Sequence, residues 1–360
     1  MSCSGTWLKY WQILLQIRLN IQNNSLNYIN NFPSWLEASR DALEAIANRG
    51  RIPHAILIHG PDGTGRRLLA LWTIGRVLDS DDFTMDADNN IGRILDADHV
   101  PSHPDFQLVQ PQQDKENEKE KRTISIDQIR LLISFLNLTS HQSGAKAALI
   151  SPAQALTVQA GNSLLKTLEE PPGDSLIVLV TDSLSRIAPT VVSRCHRIRI
   201  TTPNTAAATR WLRGHRGDVD WKTALELAGG APFKALEFHE SGFTQQAAEF
   251  EQDLLALLDK RVTPAVVAKR WSRQDQDRYL RWLYQRVSGE IRQSVVGDGS
   301  NGNQIPQYRY LQIRPKTLNI ERSFGCLRDI NELRRLQGAG LNADLQLTDL
   351  LTRWYGGGGL

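Results

Sequence analysis

Cysteine is scarce in this sequence. The 360 residues include three cysteines, Cys3, Cys195 and Cys326, and they lie far apart. Three scattered cysteines cannot form the disulfide framework of a small secreted domain, nor a zinc site with four cysteine ligands. We therefore expect a protein of the reducing cytoplasm.

Long apolar runs are also lacking. The most apolar stretch lies within residues 1–31, and Lys9, Gln12, Gln16 and Arg18 interrupt it. A membrane-spanning helix needs about 20 mostly apolar residues, and no small-residue cleavage site follows this stretch. We interpret residues 1–31 as an amphipathic extension or as an artefact of an upstream start site, and we expect no membrane contact.

The chain has little excess charge of either sign, with 42 basic and 39 acidic residues and a formal charge of +3. Residues 261–335, however, contain 15 basic and 7 acidic residues, a net charge of +8. This segment favours an anionic partner such as nucleic acid, and a solvated basic helical face is the alternative. Its aromatic residues could stack on bases or pack between helices: Trp271, Tyr279, Trp282 and Tyr284.

What is present is an ordinary globular composition, 41% hydrophobic and 22% charged, with room for two or three domains. Over residues 32–202, strand and helix patterns alternate, which is typical of an α/β fold with a parallel sheet. Predicted strands are 54–59, 106–109, 147–150, 176–180 and 198–200, and predicted helices are 35–47, 68–78, 127–136 and 159–168. After residue 203 only helices are predicted.

A glycine-rich segment follows the first predicted strand and opens a helix, where a phosphate-binding loop belongs. Its residues include Gly60, Gly63, Thr64, Gly65, Arg66 and Arg67. Arg66 stands where an active loop has the lysine that contacts the phosphates, and Arg67 stands where it has the Ser or Thr that binds Mg²⁺. We interpret the loop as a remnant without turnover, the alternative being a weak or altered nucleotide site.

The third predicted strand supports this interpretation. It ends in Ser-Pro-Ala-Gln at residues 151–154, without the acidic residue that holds Mg²⁺ in such sites. We therefore expect no ATP hydrolysis by this chain. A third cluster, Ser193, Arg194 and Cys195, precedes the last predicted strand, and its spacing alone leaves open whether Arg194 is a surface charge or a functional arginine.

Residues 162–172 (NSLLKTLEEPP) together with Ser193-Arg194-Cys195 resemble bacterial clamp-loader subunits. Four further segments resemble the delta prime family of DNA polymerase III: HPD at 103–105, ISIDQIR at 124–130, GAP at 230–232 and LQLTDLLTRWY at 345–355. The ATP-hydrolysing gamma/tau relatives keep the loop lysine, its Ser or Thr, and a DE pair on the strand. This chain has none of these, which favours the delta prime family.

The resemblance implies an AAA+ P-loop core at residues 32–202, a small helical lid domain at 203–242 and an all-α collar domain at 243–360 that joins the subunits. It further implies a ring with the gamma/tau and delta subunits, which loads the sliding clamp on primed DNA within a DNA-directed DNA polymerase holoenzyme. The alternatives are an active ATPase that uses Arg66 and an independent DNA-binding protein.

The resemblance also assigns roles to residues. Arg194 corresponds to an arginine finger that enters the ATP site of a neighbouring gamma/tau subunit. Thr181 corresponds to the strand-end position that senses the γ-phosphate, and beside an inactive loop we expect it to be structural. The helical stripe of Leu347, Leu350, Leu351 and Trp354 would pack in the collar of the ring or, alternatively, in the core of this chain.

Most such subunits carry a zinc module with four cysteines after the phosphate-loop helix, but residues 79–102 contain no cysteine. Asp96, Asp98, His99 and His103 could bind a metal in principle, although such residues in an acidic loop are more often simply solvated. We predict no structural zinc and no bound ATP in this chain.

Overall fold

The computed structural model describes residues 32–48, 52–80, 83, 101–112, 123–141, 144–217, 219–273, 276–296, 320–335 and 342–355. The chain forms two compact units, unit 1 up to Pro203 and unit 2 from Asn204. The predicted extension at residues 1–31, and most of the predicted loops at 79–102 and 110–122, lie outside the described residues.

Unit 1 contains a parallel five-stranded sheet in the order β2-β3-β4-β1-β5. The strands are β1 (Ala55–His59), β2 (Phe106–Val109), β3 (Lys146–Ile150), β4 (Ser175–Thr181) and β5 (His196–Arg199). β4 is buried over its whole length because it has a paired neighbour on each side and helices over both faces. The predicted α/β fold with a parallel sheet is confirmed, and β5 begins two residues earlier than predicted because His196 pairs with Ile56 of β1.

Four of the helices of unit 1 begin and end close to their predicted bounds, and for the short fifth one no bounds were predicted. The helices are α1 (Ser34–Ala47), α2 (Arg66–Leu78), α3 (Ile126–Leu136), α4 (Val158–Glu169) and the short α5 (Pro189–Val192). The side chain of Ser125 accepts a hydrogen bond from the backbone amide of Gln128, whose side chain accepts one from the Ser125 amide. This capping box fixes the start of α3.

The sheet is covered on both faces, because successive residues of a strand point to opposite sides. On one face, residues such as Leu57, Ala148 and Ile177 pack against α3 and α4. On the other face, α2 packs against β1, β3 and β4. This three-layer arrangement leaves the carboxyl ends of the strands free to carry loops.

Unit 2 is helical throughout its described residues, as predicted. Its helices are α6 (Thr205–Arg216), α7 (Trp221–Leu227), α8 (Pro232–Glu240), α9 (Phe243–Leu258), α10 (Pro264–Trp271), α11 (Gln276–Val296), α12 (Ile320–Arg335) and α13 (Ala343–Tyr355). The rings of Trp211 and Phe233, 4.7 Å apart, join α6 to α8. The division into a lid at 203–242 and a collar at 243–360 stays a prediction.

The core of unit 2 includes the C-terminal helix. Leu347, Leu350 and Leu351 of α13 are buried in the same cluster as Phe250 and Trp271, and α13 packs against α10. Of the two possibilities for this stripe, the structure therefore shows the intramolecular one, in which α13 completes the fold of its own chain. Within the described ranges no helix is both long and apolar enough to cross a membrane.

Candidate functional site

The phosphate-loop segment lies at the carboxyl edge of the sheet, between the end of β1 and the start of α2. The amide of Gly60 donates a hydrogen bond to the carbonyl oxygen of Thr181 at 3.3 Å, which joins the loop to the end of β4. A Cβ atom at Gly60 would overlap the carbonyl oxygen of Ile200. Glycine is therefore required here for packing, whether or not the loop binds a nucleotide.

The interior of the loop has the backbone shape of a glycine-rich turn. Gly63 and Gly65 adopt φ values of 72° and 93°, in the left-handed region that favours glycine. Thr64 between them is fully buried, and its hydroxyl donates to the carbonyl oxygen of Pro61 at 2.7 Å. The indole of Trp35 in α1 donates to the Thr64 carbonyl oxygen at 2.9 Å, so the loop is fastened to the rest of unit 1.

Arg66, which stands at the lysine position of an active phosphate loop, forms an ion pair with another residue of the same loop. A terminal nitrogen of Arg66 donates to Oδ1 of Asp62 at 2.9 Å, and the arginine side chain is largely buried. A carboxylate in the loop offsets the one charge best placed to attract a phosphate, and it would repel the phosphate as well. Sequence reasoning missed Asp62, although its position four residues before Arg66 is a recognisable pairing distance.

Two neutral polar side chains, Thr181 and Gln154, meet at the neighbouring strand ends. The hydroxyl of Thr181 is fully buried, lies 2.8 Å from Oε1 of Gln154, and is 3.0 Å from the carbonyl oxygen of Ser183. Gln154 follows β3, where the sequence lacks an acidic residue. These contacts join the loops after β3 and β4, and the structural role expected for Thr181 stays a prediction.

Arg194 lies at the opposite edge of the sheet. It follows α5 and precedes His196, the first residue of β5, whereas the phosphate loop follows the last residue of the adjacent parallel strand β1. The two sequence-predicted sites are therefore not brought together in this chain. Arg194 cannot complete the loop of its own subunit, and any phosphate it contacts must belong to another molecule.

The guanidinium of Arg194 is held by two groups of its own chain. Its Nε donates to Oε1 of Glu169 at 2.6 Å, and a terminal nitrogen makes an ion pair with the same carboxylate. The other terminal nitrogen donates to the carbonyl oxygen of Thr190 at 2.9 Å. Glu169 ends α4 inside the segment NSLLKTLEEPP, and no local pattern predicts its pairing with Arg194.

The two residues beside Arg194 are local supports. The Ser193 hydroxyl donates to the carbonyl oxygen of Thr190 at 3.1 Å and closes the turn after α5. Cys195 packs in the apolar cluster under α4, and burial raises the pKa of its thiol to about 12. A thiol with this pKa is protonated at neutral pH, so Cys195 packs rather than reacts.

The candidate metal residues are only partly described. Of the four, His103 lies within the described residues, and its Nδ1 accepts a hydrogen bond from the Asp105 amide at 3.1 Å. No group of three or more His, Cys, Asp or Glu side chains suited to a metal occurs in the described part of the chain. Because Asp96, Asp98 and His99 are outside it, the absence of zinc stays a prediction.

Comparison with known proteins relates this chain to subunits of DNA polymerase III. A family model described as "DNA polymerase III, delta subunit" matches residues 36–204. The DNA polymerase III subunit delta prime of Pseudomonas aeruginosa is 28% identical over 316 residues, covering 86% of this chain and 94% of that protein. The Escherichia coli subunit delta prime is 27% identical over 323 residues, covering 89% and 94%. The chain is therefore similar to the delta prime subunits of DNA polymerase III over most of its length.

Among solved structures, a gamma subunit-related DNA polymerase III protein from Thermotoga maritima aligns with 89% of this chain and 99% of its own, at 17% identity and a TM-score of 0.49. The fold of this chain rests on its own sheet order, β2-β3-β4-β1-β5.

Proposed function

We propose that this chain is a non-hydrolysing subunit of a bacterial clamp loader, working in the cytoplasm with the gamma/tau and delta subunits. In this role it supports ATP-dependent loading of the sliding clamp on primed DNA, and Arg194 enters the ATP site of a neighbouring gamma/tau subunit. One observation carries the proposal: Arg194 lies at the sheet edge away from its own phosphate loop. An arginine in that place can act only in trans.

The chemistry asked of Arg194 is stabilisation of charge in the transition state. As the γ-phosphoryl group leaves, negative charge develops on its oxygens, and a planar guanidinium can donate to two of them at once. In GTPases an arginine supplied in trans contributes roughly 10³–10⁵ in rate. Because gamma/tau subunits have fingers of their own, the contribution of Arg194 is confined to one site of the ring.

The alternative of an active ATPase using Arg66 finds little support in the loop. Arg66 is engaged by Asp62, and the end of β3 presents Gln154 where active sites of this kind have the acidic residue that holds Mg²⁺. We therefore infer that the loop is retained for packing and that the chain binds no ATP in its working state.

The alternative of an independent DNA-binding protein is not supported by the aromatic residues of the basic segment. Trp271, Tyr279 and Trp282 are buried in the core of unit 2 and cannot stack on bases. At least four arginines of the segment 261–335 are already paired with carboxylates: Arg261 with Asp259, Arg270 with Asp253, Arg286 with Glu251 and Arg328 with Asp329. We therefore expect the subunit alone to bind DNA only weakly through this segment, with a strong dependence on salt.

The proposal includes assembly of the subunits through the collar. A variant that tests this must leave the core of unit 2 intact. Removing the chain after residue 337 would delete α13, whose leucines are buried in unit 2, so loss of assembly could follow from unfolding alone. Leu345 on α13 is 68% exposed and Phe324 on α12 is 55% exposed. Leu345→Asp and Phe324→Asp should weaken co-purification with gamma/tau while circular dichroism stays unchanged.

The function is tested by reconstitution. Purified gamma/tau and delta are combined with or without this chain, and loading of labelled clamp on primed DNA is measured. We expect loading to depend on the chain and on ATP. Equal loading in its absence, or failure of the chain to join the complex, would refute the proposed function.

A further inference from the structure

The contacts of Arg194 use some of its donors and leave others. A guanidinium has five N–H groups, one on Nε and two on each terminal nitrogen. Glu169 engages Nε and Nη2, both through Oε1, and the Thr190 carbonyl oxygen engages Nη1. The further contact from Nη1 to the Ser193 hydroxyl is long, at 3.5 Å. If the contacts with Glu169 and Thr190 use one N–H each of Nε, Nη2 and Nη1, one N–H on each terminal nitrogen is left for a ligand.

The held guanidinium is at the surface. Arg194 is 33% exposed and Glu169 is 50% exposed, so the pair is reachable by another subunit. An arginine side chain has several rotatable bonds, and fixing them at the moment of binding costs conformational entropy. A carboxylate that already holds Nε reduces this cost and sets the direction of the fork.

We propose that Glu169 is the positioning residue of the finger, holding Arg194 so that its two terminal N–H groups point outward as a fork for the γ-phosphoryl oxygens of a neighbouring subunit. The inference rests on the proposed function, because it gives Glu169 a role only if Arg194 acts in trans. The carboxylate touches neither the nucleotide nor the reacting atoms. Its effect passes through the guanidinium.

An exposed ion pair with no such role would behave differently. It would contribute only about as much as other surface pairs to stability, and its loss would leave hydrolysis unchanged. A carboxylate that instead competed with the phosphate for the guanidinium would restrain the finger, and its removal would speed hydrolysis. The sign of the change therefore separates a positioning residue from both of these.

The test uses the reconstituted loader with Glu169→Ala, Glu169→Gln and the control Glu170→Ala, which alters the adjacent exposed carboxylate. Single-turnover ATP hydrolysis and clamp loading are measured with clamp and primed DNA present. For Glu169→Ala we expect the hydrolysis rate at the affected site to fall roughly 3- to 10-fold with the ATP concentration for half-maximal rate unchanged. Glu169→Gln, which keeps an acceptor for Nε, should be intermediate, and Glu170→Ala should match the wild type.

The double variant makes the result specific. In an Arg194→Ala background, Glu169→Ala should have no further effect on hydrolysis, because the residue it positions is gone. If Arg194→Ala slows hydrolysis but Glu169→Ala does not, or accelerates it, the positioning role is wrong and the finger role stands. If Arg194→Ala itself is without effect in an assembled ring, the proposed function fails first.

Discussion

Asp105 and Lys146 form an ion pair inside unit 1, with 3.2 Å between Oδ1 and Nζ and almost no exposure of either side chain. The carboxylate also accepts two hydrogen bonds from the backbone amide of His141, at 2.8 and 3.0 Å. Nζ of Lys146 lies 4.2 Å from the centre of the Phe135 ring. The aspartate of the HPD segment thus joins β2, β3 and the end of α3.

Asp105→Asn removes the countercharge of a buried ammonium and should be strongly destabilising. Breaking such a pair from one side costs about 3–5 kcal/mol, and urea unfolding of the whole chain measures it. The matched control is Asp127→Asn, which alters the exposed pair of Asp127 with Arg130 and should cost under about 1 kcal/mol. Equal losses of unfolding free energy in the two variants would show that the buried pair stabilises the fold no more than the exposed pair does.

Glu226 in α7 gives unit 2 a pH-dependent stability. Its carboxyl is buried and Oε1 has no hydrogen-bond partner among the described residues. Burial raises its pKa from 4.5 to about 7, against a lowering effect of Lys222 and with a smaller raising effect of Asp220. Between these pH values the folded chain holds a proton that the unfolded chain releases, so stability falls as the pH rises from about 4.5 to 7.

Glu226→Gln should remove this dependence. At pH 8 we expect the variant to be more stable than the wild type by on the order of 2 kcal/mol, and at pH 4.5 the two should be nearly equal. Thermal unfolding at both pH values measures the difference, with the exposed Glu249→Gln as control. A Glu226→Gln curve that runs parallel to the wild-type curve across this range would contradict the assignment.

Cys195 should resist thiol reagents in the folded protein. Its pKa of about 12 leaves almost no thiolate at pH 8, and the side chain is buried. Iodoacetamide treatment followed by peptide mass spectrometry reports on this cysteine separately from the others. We expect modification of Cys195 in urea only, and rapid modification of the native protein would contradict its placement.

The isolated chain should neither bind nor hydrolyse ATP. Titration with a fluorescent ATP analogue and Mg²⁺ should show no saturable binding in the micromolar range, since Asp62 occupies Arg66. Asp62→Ala, which frees the guanidinium, should raise affinity without producing turnover, because the end of β3 still lacks the acidic Mg²⁺ ligand. Micromolar binding by the wild type, with turnover that Arg66→Ala abolishes, would favour the active-ATPase alternative.

The fold was largely predictable because its signals are local. A short apolar run between Pro53 and Gly60 predicted β1, and the spacing of Ile129, Leu132 and Leu136 predicted α3. Such patterns depend on which face of an element is buried, which the sequence shows directly. Whether Trp271 and Trp282 are buried or available to stack on bases was not predictable in this way. Core packing and base stacking use the same residues at the same spacing.

The charged residues that pair with one another could not be predicted from the sequence. Glu169 and Arg194 are separated by 25 positions, and Asp105 and Lys146 by 41. Nothing in the local pattern indicates which charge meets which, since the pairing depends on where the crossovers of the sheet place the ends of α4, α5 and β3. The opposite placement of the phosphate loop and Arg194 follows from strand direction, and could have been derived once the sheet was known to be parallel.

The most direct test of the account is the rate of clamp loading by a reconstituted ring that carries Arg194→Ala. The ring should assemble as the wild type does, with a partial loss of clamp- and DNA-stimulated ATP hydrolysis and a larger loss of loading. Arg194→Lys should restore little, because an ammonium keeps the charge but lacks the planar fork. Full loading by a well-assembled Arg194→Ala ring would contradict the account and leave Arg194 a surface charge paired with Glu169.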